Sequence, residues 1–97
     1  MAIMQVYIND ELVCSCGGED LYMLGASIYA TGDLSDRNQM EFDYSFSGIL
    51  SKSDQEEKRF SRWIPDKKIS LNDKLTIKFV EGDKFDIPTI KEEFIND

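Results

Sequence analysis

The sequence predicts an all-β domain: a small antiparallel β-sandwich or partly open barrel of about six strands, with at most one or two short helices. Three observations predict it. Met40-Glu41-Phe42-Asp43-Tyr44-Ser45-Phe46-Ser47 alternates apolar and polar residues strictly, the period of a half-buried strand. Leu75-Thr76-Ile77-Lys78-Phe79 repeats the pattern, and turn residues punctuate the chain at spacings of roughly ten residues. With 97 residues the chain has length for one domain, residues 1–97, and none to spare for a second core.

Taken in order, Met4, Val6 and Ile8 alternate with Gln5 and Tyr7, Asn9-Asp10 supplies a turn, and Leu12, Cys14 and Cys16 follow at period two. This is the pattern of a hairpin closed over Asn9-Asp10. Gly17-Gly18 ends it. Leu21 to Ala30 is a more continuously apolar strand suited to cover on both faces, with Gly25 marking a bulge or a close backbone approach. Thr31 to Asn38 is a polar loop before the Met40 strand, and Ser51 to Arg59 is a second, highly charged one.

Residues 53–64 fit two descriptions. Ser53-Asp54-Gln55-Glu56 matches a capping box, with Phe60, Trp63 and Ile64 at helical spacing. A loop followed by a strand through Phe60, Arg62 and Ile64, ended by Pro65, is favoured, because a helix here would open on polar residues with no apolar face to bury. Asp66-Lys67-Lys68 and Asn72-Asp73 are turns, the second feeding the Leu75 strand, which ends at Glu81-Gly82-Asp83. Thr89-Ile90-Lys91-Glu92 is another capping-box match and predicts one or two helical turns with Ile90 and Phe94 packed down. Phe42, Tyr44, Phe46, Ile77 and Phe79 are expected at the centre of the core.

Composition narrows the chemistry. The chain has no histidine, the usual general base near neutral pH and the commonest transition-metal ligand, and two cysteines cannot build a disulfide scaffold. No apolar run approaches the roughly 20 residues that cross a bilayer, and the opening MAIMQVYI is too short and uncharged for a signal peptide, so a cytoplasmic protein is expected. A net charge of −8 argues against direct nucleic-acid binding. The charge is unevenly placed: residues 1–36 hold six acids and no base, 37–80 nine bases and seven acids, and 81–97 six acids and two bases. If the acidic ends meet, Asp10, Glu11, Glu19, Asp20, Asp33 and Asp36 belong to one negative face able to steer a basic partner. Solvated acids that keep a small domain soluble would give the same composition.

No motif specifies catalysis, a cofactor or a metal. Cys14-Ser15-Cys16 puts two thiols on one strand face, but structural zinc takes four ligands, and buried core cysteines account for the pair better. Asp33 to Asn38 resembles a calcium loop only superficially: Arg37 stands at the third ligand position and Tyr44 where a bidentate glutamate belongs. Glu41 and Asp43 share one strand face about 7 Å apart, a spacing that carboxylate chemistry could use and that solubility would also produce. Trp63 among Lys58, Arg59, Arg62, Lys67 and Lys68 has the composition of a single-strand stacking platform, although a core anchor is the commoner role of a lone tryptophan.

Ser47-Gly48-Ile49 closing a strand, Trp63, the run Leu71-Asn72-Asp73-Lys74-Leu75-Thr76-Ile77, and Asp86-Ile87-Pro88 together resemble the pattern of small, acidic, all-β bacterial proteins associated with immunity to secreted toxins. In those proteins the turn before the last long strand usually reads Gly-Asp. Here Asn72 replaces the glycine, which a tight turn accepts because asparagine tolerates positive φ. The resemblance covers the C-terminal half and implies a binding role without assigning a site residue. The leading expectation is therefore a non-catalytic, immunity-type inhibitor that occludes a basic toxin or a nucleic-acid-binding protein through its acidic surface. The alternative is a structural or assembly module that self-associates through sheet edges or aromatic surface. An enzyme ranks below both.

Overall fold

The computed structural model describes residues 1–19, 21–51 and 57–95, and in them the chain is all-β. Its elements are β1 (Ala2–Ile8), β2 (Glu11–Cys16), β3 (Leu21–Gly32), β4 (Met40–Ser51), β5 (Glu57–Trp63), β6 (Leu75–Glu81) and β7 (Ile90–Ile95). They form a three-stranded sheet of order β2-β1-β6 and a four-stranded sheet of order β3-β4-β5-β7. Every neighbouring pair is antiparallel.

The N-terminal hairpin closes where the turn chemistry places it. Asn9 and Asp10 both have positive φ (53° and 67°), the pair of left-handed residues that a two-residue turn matched to strand twist requires. A register shift between Val6 and Tyr7 lets the ladder skip Val13, pairing Tyr7 with Leu12 and Val6 with Cys14. Leu12 is thereby turned out to solvent, while Cys14 and Cys16 stay inside. Across the sheet this turn docks on a second one. Asn72, at φ 75°, takes the left-handed conformation, and Asn9 and Lys74 exchange backbone and side-chain hydrogen bonds of 2.8 Å. The Asn9 amide also donates to Asp73 at 2.7 Å.

The strand through Phe60 and Arg62 is β5, which ends at Trp63; the capping-box residues 53–56 lie outside the described residues. The helix expected at Thr89 to Glu92 is instead the start of β7. Ile90–Ile95 pairs with β5 from Arg62↔Ile90 to Glu57↔Ile95. A capping box secures one helix end, whereas pairing with β5 runs over six residues and bonds the backbone at alternate positions, and the Thr89 hydroxyl accepts the Ile64 N–H (3.0 Å) rather than capping a helix.

The core lies between the sheets and consists of Met4, Val6, Cys14, Cys16, Phe46 and Trp63, with Val13, Leu21, Leu24, Tyr44 and Leu75 packed around it. Phe46 is fully buried as expected, with Phe42 and Tyr44 partly so, but Ile77 and Phe79 are not central: they are 37% and 63% exposed. Their face was read correctly, since they pair with Val6 and Met4, whose side chains are buried. What leaves them uncovered is the offset of the sheets. Asp86 ties β2 to the β5 side of the larger sheet, accepting from Ser15 N–H, donating its own N–H to Ser15 O, and receiving the Trp63 indole N–H at its carbonyl (2.8, 2.8 and 2.9 Å). Of β6, Leu75 packs against the core, and the inner face beyond it stays open.

β3 is likewise not covered on both faces. It is an edge strand, and a Cβ at Gly25 would meet nothing within 4 Å, so that glycine marks no close approach; the irregularity lies between Leu21 and Met23. Gly32 is the constrained glycine, at φ 95° with the Gln39 carbonyl oxygen standing where a Cβ would intrude. No helix among the described residues is long and apolar enough to cross a membrane.

Candidate functional site

β3 and β4 have 12 residues each, against seven in β1 and β6. At about 3.3 Å per residue the strands of the β3–β4 hairpin are about 16 Å longer than those of the smaller sheet, and the turn end of the hairpin is termed the arm. The arm's inner face carries Met40, Phe42 and Tyr44. It is roofed by residues 64–74, with the Tyr44 hydroxyl donating to Lys67 O at 3.2 Å. Between arm and roof runs an open groove of about 590 Å³ whose lining mixes Met40, Phe42, Tyr44, Ile69 and Leu71 with the polar Arg37, Asn38, Glu41, Asp43, Lys68 and Ser70.

The outer face is chemically different. Alternation puts Glu41 and Asp43 on the side opposite Phe42, and the ladder sets Glu41 beside Thr31 and Asp43 beside Tyr29. The connecting turn adds Asp33 and Asp36. Asp33 accepts from the Ser35 hydroxyl (2.6 Å) and N–H (3.0 Å), and Asp36 accepts from Asn38 N–H (3.0 Å). Both Ser35 bonds favour the charged carboxylate, the hydroxyl foremost, and hold the Asp33 pKa below its ordinary range. From Tyr29 to Ser45 the sequence holds four acids and one base, Arg37. Tyr29, the ladder partner of Asp43, stands 62% exposed.

The six acids singled out from sequence are thus divided. Asp33 and Asp36 lie on the arm. Asp10 and Glu11, at the first hairpin turn, face lysines: Asp10 lies 2.9 Å from Lys74 and Glu11 3.5 Å from Lys67. Glu19 is exposed at the other end of β2, and Asp20 is outside the described residues. The two acidic segments meet in part: Ala2 pairs with Glu81, the N-terminal amine lies 3.9 Å from the Glu81 carboxylate, and Asp86 accepts from Ser15 N–H. The N-terminal strand pairs with β6, and the acidic C-terminal segment runs along the basic β5, where Glu93 lies opposite Arg59 in register. Sequence reasoning missed the joining of Glu41 and Asp43 to Asp33 and Asp36. The signal was available in the strict alternation of β4, which fixes both acids on the outer face next to a turn holding the other two.

The remaining features resolve structurally. Trp63 is buried, with its indole N–H bonded to Asp86 O, and presents no face for base stacking. Cys14 and Cys16 are both buried with their sulfurs 3.8 Å apart. The shared hydrogen bond, reinforced by burial, pushes the Cys16 pKa far above the ordinary thiol range, while Cys14, which would accept the Cys16 S–H as a thiolate, is held lower. No group of three or more metal-capable side chains occurs among the described residues. Compared with protein-family models, curated proteins and solved structures, the chain gives no significant match.

Proposed function

We propose that this protein is a non-catalytic inhibitor of the immunity type, which neutralises a basic partner, such as a toxin that acts on nucleic acid, by presenting the acidic outer face of the β3–β4 arm. The observation that carries this is the acidic run at the turn end of the β3–β4 hairpin, with Asp33 and Asp36 in the turn, Glu41 and Asp43 on the outer face of β4, the exposed Tyr29 paired with Asp43, and Arg37 the one base in that stretch. Carboxylates at strand spacing stand in for the phosphates that a basic cleft binds. Tyr29 supplies a stiff, amphipathic anchor of the kind that dominates binding energy at interface centres. The long hairpin suits insertion into a cleft.

The test is capture from the native host, followed by association kinetics on the captured protein for the wild type, Glu41→Lys/Asp43→Lys, and Asp10→Lys/Glu11→Lys. Reversal on the arm is expected to slow association at least ten-fold, and added salt to slow the wild type in parallel. Reversal at the lysine-paired Asp10 and Glu11 is expected to matter less. Association indifferent to salt and to the arm reversals would remove the acidic arm from the mechanism.

A further inference from the structure

The geometry points to a second interaction surface, the free edge of β3, which shares Tyr29 with the acidic arm: β3 pairs antiparallel with β3 of a second copy of this chain across a two-fold axis at Ala26. β3 is an edge of the four-stranded sheet, so one side of its backbone has no strand partner among the described residues. Two usual guards of an edge, charge and proline, are missing, and the one irregularity lies near its start, between Leu21 and Met23. Over 12 residues β3 contains no charge and no proline, in a chain that is 31% charged. Its large side chains are exposed, with Tyr22 at 78% and Ile28 at 46%.

By contrast, the outer edge of the smaller sheet at β2 is closed by Asp86, which takes up both Ser15 backbone groups. The remaining edge strands, β6 and β7, carry charges: Lys78 and Glu81 in one, Lys91, Glu92 and Glu93 in the other. For two chains of net charge −8, β3 is the edge along which like charges do not have to meet.

The sequence of β3 is also self-complementary. About Ala26, small residues flank the centre (Gly25, Ser27), branched aliphatics follow (Leu24, Ile28), and then a sulfur and an aromatic (Met23, Tyr29). An antiparallel pair centred on Ala26 sets Met23 against the partner's Tyr29, and Leu24 against the partner's Ile28, on matching faces. That is the reciprocal contact of a two-fold interface. Leu24 and Ile28 lie on the core-side face of the larger sheet, where Ile28 is 46% exposed, so the added strand supplies apolar cover there. Seven paired residues span about 24 Å, less than a standard interface, which makes the dimer concentration-dependent.

Sedimentation velocity over a concentration series up to about 1 mM, near the weak limit of specific association, tests this. The wild type is expected to shift from monomer to dimer, and more readily with added salt, because screening relieves the mutual repulsion. The arm's binding to a basic partner responds to salt in the opposite sense, so the two surfaces fail or stand separately. Ser27→Lys is expected to weaken dimerisation at least ten-fold with an unchanged circular dichroism spectrum. The register is read by oxidative cross-linking. In the dimer the two Ala26 Cα atoms lie about 5 Å apart and the two Thr31 Cα atoms about 33 Å, so Ala26→Cys should cross-link and Thr31→Cys should not. A monomer throughout the series, a dimer indifferent to Ser27→Lys, or equal cross-linking at both positions would overturn the proposal.

Discussion

Cys14 and Cys16 show how far burial governs single-residue chemistry in this chain. Their thiols sit in the core with sulfur against sulfur, so alkylation of the native protein is expected to be slow at both. Denaturant should release both together, as followed by mass spectrometry; rapid native modification of Cys16 would contradict its position. Phe46 and Phe79 make a sharper contrast, because the same residue type at the same period has opposite exposure. Phe46→Ala is expected to cost about 3–5 kcal/mol and Phe79→Ala about 1 kcal/mol or less in chemical denaturation. Asp73 carries the pH dependence of the turn contact. Hydrogen bonds from Asn9 and from Ser70 N–H hold its pKa below the ordinary 3.8. A carboxylate whose folded pKa is depressed stabilises the fold above its unfolded pKa and loses that contribution as pH falls through the folded value. Denaturation midpoints should therefore drop on acidification below about pH 4, and less so in Asp73→Asn.

At the scale of elements, β7 is held to β5 by the Thr89 hydroxyl as well as by the ladder, so Thr89→Ala should raise hydrogen exchange at Ile64 N–H while sparing the smaller sheet. An element is legible in this sequence where its signal is local. The alternation of β4 and the Asn9-Asp10 turn are decided within a few residues, and both stand as read. The class of the fold follows from the same periodicity. β7 was not legible, because its capping-box pattern is a real local preference that loses to pairing with a strand some thirty residues earlier. The exposure of β3 was illegible for a related reason. A continuous apolar run marks a strand with two apolar faces but does not say whether anything in the same chain covers them. Ile77 and Phe79 repeat the lesson, since period two reveals a face and only the offset of the sheets reveals its cover. Of the candidate site, Asp33 and Asp36 were visible as acids in a turn. Their company with Glu41 and Asp43 required the ladder.

The whole molecule is flat, 48 × 34 × 17 Å, as two layers of sheet about 10 Å apart must be. Electrostatics act on it as a surface with separate regions: a free acidic arm, a hairpin turn where Asp10 and Glu11 face Lys74 and Lys67, and an uncharged edge. Quadruple reversal of Asp33, Asp36, Glu41 and Asp43 is expected to leave the melting temperature within a few degrees, because none of the four is buried. A loss of folding there would show the arm to be structural. The smaller sheet has a consequence for how the chain acquires its shape. Its strands come from the two ends of the sequence, with the N-terminal amine donating to Gly82 O across 81 residues. On the ribosome, the first hairpin emerges with Met4, Val6, Cys14 and Cys16 bare and must wait until β6 has been synthesised before its sheet exists. A two-stranded hairpin is marginal by itself, so commitment to the native state should come late, on the millisecond-to-second scale typical of sheets closed by distant segments. A nascent chain truncated after Trp63 should therefore remain sensitive to protease, and the full chain released from the ribosome should not.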